Sequence, residues 1–397
     1  MVKNNINIII QENRCTGCAS CVYECPQHII SIEENNRGFL SASIKDSCKC
    51  IHCGKCLQKC PSEHRRLIPE SACDLKKSES FFYGYAKDAE TREKGTSGGI
   101  VSALSNYFVQ QGGVVYGAFL DLISGDVKHI SSEDVPLSEL AKTKYCQSNH
   151  TIAFENIIDK LKSGRLVFYC GTPCQVYGLK SCLQELGVYD TKNLFTVDFI
   201  CHGVPSRKIF REYYAALKSK MGGHISVYEF RSKIYGWPRH IVLAKGDGRK
   251  YIKKATLDKF QFLFQEDLSL NGACLTCPFR EKHDADITVG DFWGYSKVDG
   301  LSNFDKGLSF IVANNTKGMD ALRHCEMSQF IALQNDTTDY RYKILKKCEA
   351  DEDKIRRNGE FFDFYLSKGY SATVRKYASV FVVLRNKLEY IMNKNKR

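Results

Sequence analysis

The sequence predicts two unlike parts: a small cysteine-stapled α+β module over residues 1–80, then an α/β body that carries a small β subdomain. Three observations lead there. Nine of the nineteen cysteines crowd between Cys15 and Cys60, helix and strand patterns alternate from Gly95 to Ile200, and three strand-like runs cluster between His224 and Lys254. At 397 residues two or three domains are expected. The expected divisions are 1–80, 81–165, 166–340 and a basic helical tail at 341–397.

The first module rests on a repeated spacing. Cys15, Cys18, Cys21, Cys25 and Pro26 read C-x2-C-x2-C-x3-C-P, and Cys50, Cys53, Cys56, Cys60 and Pro61 read the same. This is the bacterial ferredoxin run for 4Fe-4S clusters in duplicate, in which three cysteines hold one cluster and the fourth crosses to the other. Cys15, Cys18, Cys21 and Cys60 are therefore expected on one cluster, and Cys50, Cys53, Cys56 and Cys25 on the second. Two intervening residues let a tight turn wrap a cubane corner with backbone N–H groups toward the sulfides, and Gly17 and Gly54 give those turns conformational freedom. Between the runs, the alternation from Ile29 to Ile44 around Gly38 predicts a hairpin over the clusters. Zinc is the plainer reading, but it rarely uses two duplicate sets ending in Cys-Pro. Cys48, two residues before Cys50, reads as a spare thiol, and a register that uses it stays open.

The body follows in α/β grammar. Gly95-Thr96-Ser97-Gly98-Gly99 opens a helix with Ile100, Val101, Leu104 and Phe108 at helical spacing, closed by Gly112-Gly113 and followed by a strand over Val114 to Leu120. The glycine-rich turn suits either a phosphate at the helix start or a plain helix capped by Thr96 or Ser97. Then come a helix over Ile152 to Leu161, a strand over Arg165 to Tyr169, the turn Cys170 to Cys174, a helix to Leu186, a strand over Leu194 to Ile200, and Cys201-His202-Gly203. That is a βαβ crossover, so its strands are expected to be parallel and near neighbours. Cys174 and Cys201 then emerge at carboxyl strand ends, where open α/β sheets bind ligands. Cys274-x-x-Cys277, before a strand over Asp286 to Asp291, completes four thiolates. We expect Cys174, Cys201, Cys274 and Cys277 to hold a third 4Fe-4S cluster; zinc and redox-active thiols are the alternatives. Cys146 and Cys170 are alternates near this crevice, while Cys73, Cys182, Cys325 and Cys348 read as buried hydrophobes. His202, Asp198 and Asp291, each expected at a strand end, are the candidates for catalytic protonation.

Further on, His224 to Phe230, His240 to Lys245 and Lys250 to Lys254 predict the β subdomain. In the tail, Val374, Tyr377, Val380 or Phe381, Leu384 and Leu388 recur at near-helical intervals before Lys394, Lys396 and Arg397, which suits a packed helix or a partner or membrane-surface contact. Composition excludes other classes. Hydrophobic residues at 43% and charged ones at 26% argue against disorder. The start lacks a signal peptide's apolar stretch, and the longest late apolar run, Val380 to Leu384, is far short of the ~18 residues of a membrane span. A cytoplasmic protein is expected. The formal charge of +12 counts cysteines as neutral; three clusters and a flavin diphosphate would leave roughly +4, which removes the motive for a nucleic-acid partner.

Taken together, the Gly95–Gly99 turn, Lys144-Tyr145, Gly171-Thr172-Pro173-Cys174-Gln175, Cys201-His202-Gly203-Val204-Pro205-Ser206, Cys274-x-x-Cys277 and Asp286-Ile287-Thr288-Val289-Gly290-Asp291-Phe292-Trp293 resemble the coenzyme F420 hydrogenase/dehydrogenase beta-subunit family. The resemblance covers Cys15 to Gly318. It implies a flavoprotein body in which FAD lies on Thr96, Ser97, Gly98 and Gly99 and on a loop with Lys144, Gln147 and Ser148. It weakens Cys146 as a ligand and points to a bacterial branch often encoded beside polysaccharide-synthesis functions. Such proteins pass electrons between flavin and iron-sulfur centres, and relatives reduce deazaflavins or tetrapyrroles. The chain then reads as an oxidoreductase with a redox protein partner and an organic small-molecule substrate. The alternative is a non-catalytic electron-transfer subunit that serves a protein partner.

Overall fold

The computed structural model describes residues 5–63, 73–74, 81–188, 191–297, 304–336 and 351–379. In the cysteine-rich module, strands β1 (Ile30–Glu34) and β2 (Leu40–Ile44) form the expected antiparallel hairpin, with Ile30 opposite Ile44. One-turn helices Ser20–Tyr23 and Lys55–Gln58 carry the middle cysteines of the two runs. Ile6, Ile9, Ile29, Ile30 and Ala42 pack directly on Cys21, Cys25, Cys56 and Cys60, so this core is apolar residues laid over thiols.

The body is built on one mixed sheet. Its strands are β3 (Phe81–Ala86), β4 (Val114–Leu120), β5 (Val127–Ser131), β6 (Val167–Cys170), β7 (Leu194–Phe199) and, after three strands that fold apart as β8 (Val227–Ser232), β9 (Ile241–Gly246) and β10 (Arg249–Lys254), β11 (Ile287–Asp291), β12 (Ser309–Ala313) and β13 (Ile331–Asn335). The order across the eight-stranded sheet is β13-β3-β12-β11-β7-β6-β4-β5. The four central strands β4, β6, β7 and β11 run parallel. The outer pairings are antiparallel. The predicted crossover is present, with Val167 opposite Leu194. The sheet takes strands from both segments, 81–165 and 166–340.

Alternation along β6 explains the layers. Phe168 faces α1 (Ile100–Gln110), joining Leu104, Phe108 and Phe195, whereas Val167 and Tyr169 face α2 (Thr151–Lys162) and α3 (Pro173–Glu185), joining Phe154, Ile157 and Leu179. Helices therefore cover both faces of the parallel strands, and the carboxyl ends of those strands remain as the place for a ligand.

The β subdomain, in the order β10-β9-β8, packs its aromatics Tyr228 and Phe230 on Phe210 and Tyr214 of α4 (Arg207–Lys220). A helix, α5 (Thr316–Met327), backs the sheet beside α1. The last described helix, α6 (Glu352–Tyr377), buries Phe361, Phe362, Tyr365 and Val374 in the core beneath the subdomain. The hairpin's Phe39 joins the same core, 5.4 Å from Phe362. Val374 and Tyr377 thus take the packed-helix alternative. Val380, Phe381, Leu384, Leu388, Lys394, Lys396 and Arg397 lie outside the described residues, as do Cys348 and the side chain of Cys73. Among the described residues no helix is long and apolar enough to cross a membrane.

Candidate redox site

Each cysteine run wraps by holding two residues in the left-handed region on either side of its second cysteine. In the first run these are Gly17 (φ 73°) and Ala19 (φ 69°); in the second, His52 (φ 51°) and Gly54 (φ 73°). The runs cross as their spacing requires. Burial pushes the Cys21 thiol well above its ordinary range, helped by Cys15, Cys18 and Cys60, and burial with Cys18 and Cys15 nearby pushes Cys60 to about 12. Cys60 therefore sits with the first run. Cys25, Cys50, Cys53 and Cys56 instead line one small cavity of about 20 Å³. Cys48 lies in the exposed turn Ser47–Lys49, off that wall, whereas Cys50 is on it.

The donor chemistry fits iron-sulfur clusters. Buried neighbouring thiols resist ionisation, and iron's positive charge reverses that cost. The sulfurs also receive N–H groups, the Ala42 amide on Cys15 Sγ (3.4 Å) and Asn5 Nδ2 on Cys50 Sγ (3.7 Å), contacts that favour a thiolate and raise a cluster's potential. Among the described residues, no three His, Cys, Asp or Glu side chains converge on a point that would hold a single metal ion.

The second thiol set lies in the body. Pro173 and the Thr172/Gln175 capping box fix the start of α3, which carries Cys174 in its first turn. Cys201 follows β7, and Cys274 and Cys277 follow the Asn271 cap of the short helix Gly272–Leu275. Cys174 is pushed well up by burial, then by Cys277, Cys201 and Cys274, so all four predicted thiols share one locality. Cys201 and Cys274, the latter to about 12, shift up for the same reasons. Cys170 instead responds, after burial, to Asp198 and Lys144, and Cys146 packs into the subdomain core. Buried Cys182 and Cys325 lie in the apolar cores, as expected.

The two thiol regions touch. Cys18 shares an apolar cluster with Tyr177 and Phe279, against which Cys174 and Cys277 also pack. Position 178 is glycine for a direct reason: a Cβ there would overlap the Cys18 carbonyl. The module's first run therefore lies on the helix that presents Cys174.

A cavity of about 720 Å³ opens from these cysteines across the carboxyl ends of the parallel strands. Thr96, Ser97 and Gly99 reach it from the turn that leads into α1, whose cap, Gly99, offers no side chain to the helix N–H groups. Lys144, Gln147 and Ser148 reach it from the facing loop. Burial lowers Lys144 to about 7, and its ammonium is held by the carbonyls of Glu139 and Ala141. Thr96 accepts from the Thr143 amide at 2.7 Å, tying turn to loop. The size lies within the usual range for ligand sites, and the lining suits a nucleotide.

Several expected residues have other duties. Gly98 stands off the wall; its N–H donates to Ser309 Oγ (3.0 Å), and a side chain would strike the Gly84 carbonyl. Gln147 spends its amide on the hairpin: Oε1 accepts from the Leu40 amide (2.8 Å), and Nε2 donates to the carbonyls of Thr16 and Leu40. Ser148 Oγ is shared by His129 and Gln175. Asp291 lines the cavity but is paired with Arg231 (2.6 Å) and accepts from Ser97. His202 is half-exposed on the wall, with Nε2 2.7 Å from Asp267.

Asp198 requires a correction. It lies inside β7, fully buried, off the cavity wall, because its carboxylate is turned inward to Thr288 Oγ1 (2.6 Å) and His283 Nδ1 (2.9 Å). His283, which sequence reasoning missed, does line the cavity. The buried carboxylate fixes it as an Nδ1–H donor and leaves Nε2 as the acceptor nitrogen. Its place six residues past Cys277 was the available signal, a weak one. Arg231 was also missed: it is 7% exposed, and among the described residues its Nε and Nη2 find no hydrogen-bond partner.

Models of known protein families match three stretches of the chain. The family model for the coenzyme F420 hydrogenase/dehydrogenase beta subunit N-terminus matches residues 81–120, and the one for its C-terminus matches 164–339. A 4Fe-4S dicluster domain model matches 14–64. The coenzyme F420-dependent sulfite reductase of Methanocaldococcus jannaschii is 23% identical over 93% of this chain. This chain spans 55% of that relative's length. A chain of the F420-reducing NiFe hydrogenase complex from Methanosarcina barkeri aligns with a TM-score of 0.47 and 15% identity over 74% of this chain and 92% of that one. The ordered matches at 81–120 and 164–339, preceded by the dicluster match at 14–64, mean that this chain belongs to the coenzyme F420 hydrogenase/dehydrogenase beta-subunit family and carries an N-terminal 4Fe-4S dicluster domain.

Proposed function

We propose that the chain is an iron-sulfur flavoprotein oxidoreductase that moves electrons between its ferredoxin-type clusters, a third cluster in the body and FAD, and so reduces or oxidises an organic substrate. One observation supports this above the rest: Cys18 and Cys174 pack on the same pair of rings, Tyr177 and Phe279. When bound, a flavin exchanges two electrons as hydride while each cluster carries one, so the set converts between the two currencies.

The chain's residues divide the work. Cys15, Cys18, Cys21 and Cys60 hold one cluster, Cys25, Cys50, Cys53 and Cys56 the second, and Cys174, Cys201, Cys274 and Cys277 the third. Tyr177 and Phe279 keep water from the space between the first and third sets. The turn that leads into α1, with Thr96, Ser97 and Gly99, and the Lys144 loop hold the flavin nucleotide, with its phosphates at the helix start. His283 Nε2, held in register by Asp198, gives or takes the substrate proton, and His202 and Asp291 flank the same cavity.

Anaerobic purification with iron, sulfide and flavin analysis tests the reading. About twelve irons and one FAD per chain are expected, and Cys174→Ala lowers the iron to about eight and slows flavin reduction in stopped flow. Eight irons in the parent chain, or flavin reduction as fast after the substitution, would remove the linking cluster.

A second reading is a non-catalytic electron-transfer subunit. The exposed Cys50–Cys53 loop of the dicluster module, open to a protein partner, favours it. Turnover of quinone, deazaflavin and unsaturated sugar acceptors by the isolated chain, with an artificial donor, separates the two.

A further inference from the structure

The two ends of the dicluster module face different surroundings. The first-run end is covered by α3, with Cys18 buried against Tyr177 and Gly178. Nothing described covers the opposite end. Ile51 is 59% exposed there, between Cys50 and the exposed His52 and Cys53. Cys50 and Cys53 also form part of the wall of the second thiol cavity, so the proposed second cluster lies directly behind this loop.

Charge around the loop is mainly positive, although Glu24 lies within electrostatic reach of Lys55. Lys45, Lys49 and Lys55 are all exposed, and from position 45 to 58 the only acid is Asp46, which lies 3.5 Å from Lys49. An apolar centre within a cationic rim matches a partner with an apolar spot inside an acidic rim. The cluster behind it sets the partner's chemistry, because one electron at a time crosses there.

We propose that the loop Cys50–Cys53, with Ile51 at its centre and Lys45, Lys49 and Lys55 around it, is the docking face for an acidic one-electron carrier protein of the ferredoxin kind. The proposal rests on the electron-transfer reading above and adds to it the port and the partner's charge. Electrons cross between the carrier and the second cluster, which gains one electron as the carrier loses one, or the reverse. The first-run end, sealed on the body, passes them onward.

The test uses the full chain, reconstituted anaerobically with iron and sulfide, and a reduced, acidic plant-type ferredoxin as probe. Stopped-flow absorbance gives the second-order rate of cluster reduction at rising ionic strength. For the parent chain this rate is expected to fall with salt. The triple variant Lys45→Glu, Lys49→Glu, Lys55→Glu is expected to be roughly tenfold slower at low salt and to converge with the parent at high salt. Ile51→Ser is expected to be slower at every salt concentration. Photoreduced deazariboflavin, small and uncharged, should reduce parent and variants alike, which establishes that their clusters are intact. Equal ferredoxin rates in parent and triple variant, or a rate indifferent to salt, would overturn the docking face. Parent clusters that deazariboflavin cannot reduce would instead sink the electron-transfer reading, and the docking face with it.

Discussion

The two cysteine runs share a spacing to the residue, yet one is pressed into the body and the other faces solvent. Their third positions record the difference. The first run has Gly17, whose missing Cβ would come 2.5 Å from the Leu40 carbonyl of the hairpin and 3.0 Å from Gln147 Nε2 of the body; the second has His52, exposed, in the same left-handed backbone region. Both turns need that backbone, but only the covered one needs the empty space as well. Local spacing dictates the fold of such a cysteine loop, and the surroundings decide whether it is covered by the body or left open to solvent.

The strongest way to break the comparison is to remove the crossing ligands. Cys60→Ala, although it lies in the second run, is expected to cost the covered cluster, about four irons, while Cys25→Ala costs the solvent-facing one. Electron paramagnetic resonance of the reduced variants would distinguish the two; loss of the same signal from both would mean that the runs do not cross. Next in size is Gly178→Ala. A methyl placed against the Cys18 carbonyl should destabilise the protein by about 3 kcal/mol and separate module from body. Denaturant unfolding reads the first effect and slowed transfer between clusters the second. The finest test exchanges the third positions. Gly17→Ala is expected to lose about 2–4 kcal/mol, from strain plus overlap, whereas His52→Gly gains about 0.5 kcal/mol as left-handed strain is relieved against added chain entropy. Equal effects at the two sites would erase the distinction between covered and exposed runs.

Much of this was legible in the sequence because the signals are local. The cysteine runs, the hairpin, the crossover from Val167 to Phe199 and the three subdomain strands each show their pattern within a few residues, and the gathering of Cys174, Cys201, Cys274 and Cys277 followed from parallel strands ending on one side. What failed was non-local. β12 and β13 were not foreseen, and β3, which begins right after a charged stretch, lies between them through pairings more than 200 residues distant. Asp198 was misjudged because its residue type does not reveal which way it turns; a buried Thr288 and His283 on other segments claim it. Gly98 looked like part of a phosphate cradle and is instead the gap that lets the turn sit on β3 and β12.

Gln147 links two tasks that the chain order keeps apart. Its amide grips Thr16 and Leu40 in the amino-terminal module, while its neighbours on either side form part of the large cavity's wall. Docking the module and shaping the wall thus depend on the same short loop. A body produced without residues 1–63 would leave that amide stranded and the wall misshapen, so grafting a foreign electron module onto this body would require recutting the loop from Lys144 to Ser148 as well as the visible junction between the two parts.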